Sequence, residues 1–145
     1  MRHLEEFERE VTSWAGVSAH PHRFGGREFR LGEAEVGHIH VGGILDIPFP
    51  RAVRDALLDD GLAGVHHWIP NSGWITYHMR SDEDFQHGLW LARLSYLRYE
   101  LKNVADPRAL LEAERARLRL SARFTRLLEP FIRQPILESV RPLTA

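Results

Sequence analysis

One segment constrains this chain more than any other. From residue 83 to about 103, Phe85, Leu89, Leu91, Ala92, Leu94, Tyr96, Leu97 and Leu101 leave a helix with almost no polar side. A helix that is apolar nearly all round must be enclosed by other elements. Ser81-Asp82-Glu83-Asp84 supplies its start: Ser81 or Asp82 as cap, and Asp84 in the first turn. Within it, Tyr96 is expected to be packed with its hydroxyl bonded.

What precedes this helix is mostly strand. Residues 2–15 form a first helix, with Leu4, Phe7, Val11 and Trp14 at helical spacing and Gly16 as its stop. Residues 17–26 read as a short strand and a turn. Arg27 to Leu31 alternates, with Phe29 and Leu31 on one side and Glu28 and Arg30 on the other. Glu35 to Phe49 is strand-like and contains Gly42-Gly43, either a bend in one strand or the turn of a bulged hairpin. A plain two-residue turn would pair His40 with Leu45 and mix polar with apolar on each face. Residues 51–60 form a short helix with Val53, Ala56 and Leu57 inward. Val65–Ile69 and Trp74–Met79 flank Pro70-Asn71-Ser72-Gly73 and read as a hairpin. Asp106-Pro107 caps a further helix of about twenty residues, ended by Pro130. The tail with Pro135 and Pro142 is expected to be irregular.

Strands followed by helices imply α+β rather than alternating βαβ. The expected fold is a two-layer sandwich, an antiparallel sheet with helices on one face, plus an added C-terminal helical segment. Residues 1–105 form the core domain and 106–145 pack on it or at a dimer interface.

Several function classes fall away. The 145 residues hold no cysteine, so disulfides, thiol nucleophiles, cysteine zinc sites and iron–sulfur clusters are excluded. No run of eighteen apolar residues is present, and Met1-Arg2-His3-Leu4-Glu5-Glu6 has no apolar leader character. A cytoplasmic protein without a membrane partner is the expectation. Residues 1–105 carry 11 basic and 15 acidic side chains, and residues 106–145 carry 8 and 5. That balance argues against nucleic acid. Neither Gly25-Gly26 nor Gly42-Gly43 precedes a helix, so neither is a phosphate loop.

Taken together, Glu35-Val36-Gly37-His38-Ile39-His40, Gly43-Ile44-Leu45-Asp46-Ile47-Pro48-Phe49, His66, Pro70-Asn71-Ser72-Gly73-Trp74 and Leu94-Ser95-Tyr96 carry a likeness. Over about residues 27–99 the chain resembles the luciferase-domain proteins. Nothing in these residues reads as a luciferin or flavin site. Trp74 on a strand before a helix with Ser95-Tyr96 is also similar to YjbR-like proteins, whose fold resembles that of frataxin; this implies a two-layer α+β sandwich.

Nine histidines are the main clue to chemistry. His38 and His40 are two apart on a strand and share a face. His78 shares a face with Trp74 and Thr76, and His66 faces the same way as Trp68. Glu35 is offset by one from this set, and Asp46 depends on what happens at Gly42-Gly43. His20 and His22 flank Pro21 in a loop that is solvated or closes over the sheet. His38, His40, His66, Trp68, Trp74 and His78 are thus the candidate ligand-binding residues on an open sheet face.

Two functions follow as expectations. One is a binding or interaction domain that takes a small-molecule or protein ligand on that face. The other is a small metal-dependent hydrolase or oxidoreductase, with His38, His40 and His66 holding a divalent transition metal. The apolar stripe of the last helix also suggests a homodimer, with Leu118 and Phe124 at the contact.

Overall fold

The computed structural model describes residues 2–66 and 68–132. Helix α1 (Arg2–Thr12) buries Phe7 and Val11 completely. A meander of four strands follows: β1 (Val17–Pro21), β2 (Arg27–Leu31), β3 (Ala34–His40) and β4 (Ile44–Pro48). Helix α2 (Arg51–Asp59) then leads to β5 (Gly64–Val65) and β6 (Trp74–His78). Strand β6 inserts between β4 and β5, so the sheet order is β1-β2-β3-β4-β6-β5, with every neighbouring pair antiparallel. Helices α3 (Asp82–Glu100), α4 (Pro107–Leu118) and α5 (Ala122–Leu128) complete an α+β fold.

Strand alternation sorts the side chains. Phe29, Ile39, Leu45, Ile47 and Ile75 face the helices and are at most 1% exposed. Helix α3 lies against β3 and β4, and α1 packs beside it. Its cap is Ser81, whose hydroxyl accepts from the Asp84 amide. The opposite face carries His38, His40, Asp46, Trp74 and Thr76, bordered by a 3₁₀ turn at Arg23–Gly25 and by His66, Trp68 and Ile69.

The β3–β4 hairpin is closed by three residues, Val41-Gly42-Gly43, so His38 pairs with Asp46 and Ile39 with Leu45. An odd-length turn keeps like with like, whereas a two-residue turn would not. Gly43 has φ +84, and a Cβ there would lie 2.9 Å from the Met79 carbonyl oxygen. That carries Asp46 onto the histidine face.

A bulge in β3 matters as much. Phe29 pairs with Gly37 but Arg30 pairs with Glu35, so Val36 is an extra residue. It switches the alternation, and Glu35 joins His38 on the open face.

The hairpin expected at 65–79 is shorter. Strand β5 ends at Val65, and His66, Trp68 and Ile69 belong to the loop. The turn is held from inside: the Phe49 amide donates to the Gly73 carbonyl at 3.0 Å, and a Cβ on Gly73 would sit 1.9 Å from the Phe49 oxygen. His67 lies outside the described residues.

The expected long last helix is two. Arg119 takes a left-handed conformation (φ 53), and the amide of Leu120 reaches back to the Arg115 carbonyl at 3.0 Å. Ser121 then caps α5 by accepting from the Phe124 amide. Both helices fold back over α3 and α2. Trp90 donates to the Leu118 carbonyl at 3.0 Å, Arg93 pairs with the buried Glu114, and Arg123 reaches Asp59 at 3.0 Å. Phe124 and Leu128 are buried within the chain. The stripe that suggested a homodimer through Leu118 and Phe124 therefore has an intramolecular use. The segment with Pro135 and Pro142 lies outside the described residues. Among the described residues, no helix is long and apolar enough to cross a membrane.

Candidate functional site

Five strands contribute to one row across the open face. Glu28 pairs with His38, His38 with Asp46, Asp46 with Thr76, and Thr76 with Gly64. Asp46 is the hub and is 1% exposed. Its Oδ1 accepts from Thr76 Oγ1 at 2.6 Å. Its Oδ2 lies 2.8 Å from His40 Nε2, 3.3 Å from His38 Nε2 and 3.6 Å from His66 Nε2.

His38 is held at both nitrogens, since its Nδ1 is 3.0 Å from Glu35 Oε2. This contact exists only because of the Val36 bulge. Burial alone pulls the His38 imidazole down; hydrogen bonds to Asp46 and Glu35 outweigh it and push it up to about 9. Burial would raise Asp46, yet bonds from His38, Thr76 and His40 hold it well below the usual carboxylate range.

His22 joins from the loop after β1. Its ring stacks on His38 with centroids 3.9 Å apart and meets His40 edge-on at 5.4 Å. Its Nδ1 is 3.3 Å from Glu28 Oε1. Burial lowers its pKa, and the charge of His38 lowers it further. His22, His38 and His40 each offer a ring nitrogen within 4.8 Å of the others.

His66 behaves differently. Its Nδ1 accepts from the backbone amides of Trp68 and Ile69, at 3.2 and 3.3 Å. A nitrogen that accepts carries no proton, so the ring is the tautomer with hydrogen on Nε2, pointing at Asp46.

Above this floor opens a cavity of about 310 Å³. Trp74 forms one wall, its ring 5.4 Å from His38 and 6.0 Å from His66. The mouth carries large exposed apolar side chains next to Arg23: Phe24 is 93% exposed, Trp68 72% and Ile69 45%. Phe24 also has φ 56, an uncommon conformation for a bulky residue.

The cavity therefore gathers His38, His40, His66, Trp68 and Trp74. His78 lies outside it: it is exposed, with Nδ1 3.4 Å from Arg80. Periodicity missed His22 as a partner, because a loop residue has no face to read. Periodicity also placed Glu35 on the wrong side, because a bulge leaves no mark in the alternation. His20 lies in β1 rather than a loop, 2.8 Å from Ser18 Oγ.

The stretch that builds most of this site, residues 33–95, matches the family model of the Luciferase domain. Over that stretch the chain is similar to the Luciferase domain. The matched residues of the Luciferase domain include Glu35, His38, His40, Asp46, His66, Trp68 and Trp74, and they end at Ser95 on α3. His22, in the loop after β1, and Glu28, in β2, precede it. No curated protein and no solved structure matches the chain, so the likeness to YjbR-like and frataxin-like proteins rests on Trp74 and Ser95-Tyr96 alone.

Proposed function

We propose that this chain binds a compact organic molecule in the cavity of the open face. The ligand has a flat apolar body and an oxygen at one end. Its body lies between Trp74 and the mouth formed by Phe24, Trp68 and Ile69. Its polar end meets the imidazoles of His38 and His40. One observation carries this reading: large apolar side chains stand exposed at the mouth of a cavity whose floor is a buried carboxylate ringed by imidazoles. Small-molecule sites combine mostly apolar walls with a few convergent polar groups in this way. A surface built only for solubility has no reason to expose Phe24 and Trp68 side by side with such a floor.

The test is an NMR titration of the full chain with benzoate, phenol and indole as probes. The reading predicts saturable shifts of the Trp68 and Trp74 indole signals, weakened at least tenfold in a Trp68→Ala variant. Shifts scattered over the surface, or unchanged in that variant, would count against it.

A further inference from the structure

We infer that the floor of this cavity is a metal site in which His22, His38 and His40 bind one divalent first-row transition ion, with Asp46 Oδ2 as the ligand on the sheet side. The inference rests on the reading of the cavity as a binding site and adds an ion to its floor.

Four observations converge. First, the three imidazoles present ring nitrogens within 4.8 Å of one another. Histidine nitrogens bind zinc at about 2.0–2.1 Å, and a tetrahedral set at that length has ligand-to-ligand edges of about 3.3 Å. The edge from His38 Nε2 to Asp46 Oδ2 is 3.3 Å, and that from His40 Nε2 is 2.8 Å. Second, His38 and His22 both spend Nδ1 on a carboxylate, Glu35 at 3.0 Å and Glu28 at 3.3 Å. That leaves Nε2 of each ring for the ion. It is also the outer arrangement that orients metal-bound histidines and raises their basicity. Third, imidazole and carboxylate donors suit zinc, iron, copper or nickel rather than calcium or magnesium. Fourth, the site opens on the cavity, where an ion can take the oxygen of a ligand or a water molecule.

The same geometry excludes His66 from the set. Its Nδ1 already accepts two backbone amides, so Nε2 keeps its proton and donates toward Asp46. His66 is a positioning residue. The choice of His22 carries one requirement: it now stacks flat on His38, and two parallel rings cannot both hold one ion in their planes. His22 must turn about its side-chain torsions to leave that stack.

The experiment uses the full chain, treated with chelator, dialysed, and titrated with Zn²⁺ by calorimetry and with Co²⁺ by visible absorption. One ion per chain and intense Co²⁺ ligand-field bands are expected. His38→Ala and His22→Ala should each weaken Zn²⁺ binding at least 100-fold. Glu35→Gln, which keeps all four ligands, should retain one ion per chain with affinity about tenfold lower. His66→Gln should also retain one ion per chain, and circular dichroism checks that each variant is folded. Absence of Zn²⁺ uptake by the wild-type chain overturns the site. Loss of uptake in His66→Gln with none lost in His22→Ala overturns the ligand set. Trp68→Ala separates this inference from the cavity reading: it should weaken the organic probes and leave the ion. Organic probes that bind while Zn²⁺ does not would refute the metal alone; failure of both would refute the cavity.

Discussion

The hydroxyl of Ser95 donates to the carbonyl of Val36 at 2.8 Å, across 59 positions of sequence. Val36 is the extra residue of the β3 bulge, with no partner opposite it in the β2 register. Ser95 sits fully buried on α3 and ties the bulge to the helix layer. The bulge in turn sets Glu35 against His38. A hydroxyl inside the core thus supports the electrostatics of the opposite face.

Ser95→Ala removes the buried hydrogen bond to the Val36 carbonyl. The cost should be about 1–3 kcal/mol of stability, read from chemical denaturation. An unchanged midpoint would show that the bulge stands without Ser95.

Phe124 is 3% exposed, with its ring 6.1 Å from that of Trp90. Phe124→Ala should cost about 3–5 kcal/mol, since the core layer cannot collapse around the missing ring. Measured at dilutions where association is absent, a loss under about 1 kcal/mol would mean that α5 does not pack on its own chain.

The two tryptophans of the cavity should separate. Trp74 is partly buried between His38 and His66, whereas Trp68 is 72% exposed. Trp74→Ala should lower stability by about 1–3 kcal/mol, while Trp68→Ala should leave it within about 0.5 kcal/mol. Equal losses in thermal melts would contradict this division between wall and mouth.

Chelator-treated protein should lose stability in mild base. His38 faces Glu35 on its own strand, Asp46 from β4, and the rings of His22, His40 and Trp74. Its folded pKa lies above the ordinary 6.5, at about 9. The folded chain therefore holds this proton more tightly than the unfolded one. The resulting stability is complete below about pH 6.5 and is lost as pH rises through about 9. His22 is shifted the other way, so its effect falls below pH 6.5, where protonation opposes folding. His38→Gln should flatten the loss between neutral pH and about 9 in denaturation midpoints. A midpoint that rises with pH over that range would contradict the assignment.

Most of the fold was legible because periodicity and caps agree. Arg27–Leu31 is strand β2, Val53, Ala56 and Leu57 line the inner side of α2, and Ser81 caps α3. The break in the last helix was not legible, because Arg119 takes the left-handed turn where a glycine would have announced it. At the site, His38 and His40 could be paired from spacing alone. Asp46 required the three-residue turn, Glu35 the bulge, and His22 a loop folded over the sheet. Each depends on a departure from regular alternation, which a period of two cannot encode.

The measurement that bears most directly on the account is long-range ¹H–¹⁵N NMR of the imidazole rings, with and without one equivalent of Zn²⁺. The account predicts that Nε2 of His22, His38 and His40 moves together into the metal-bound range. His66 should keep its proton on Nε2 throughout. Imidazole signals that ignore Zn²⁺, or a His66 that moves while His22 stays still, would contradict it.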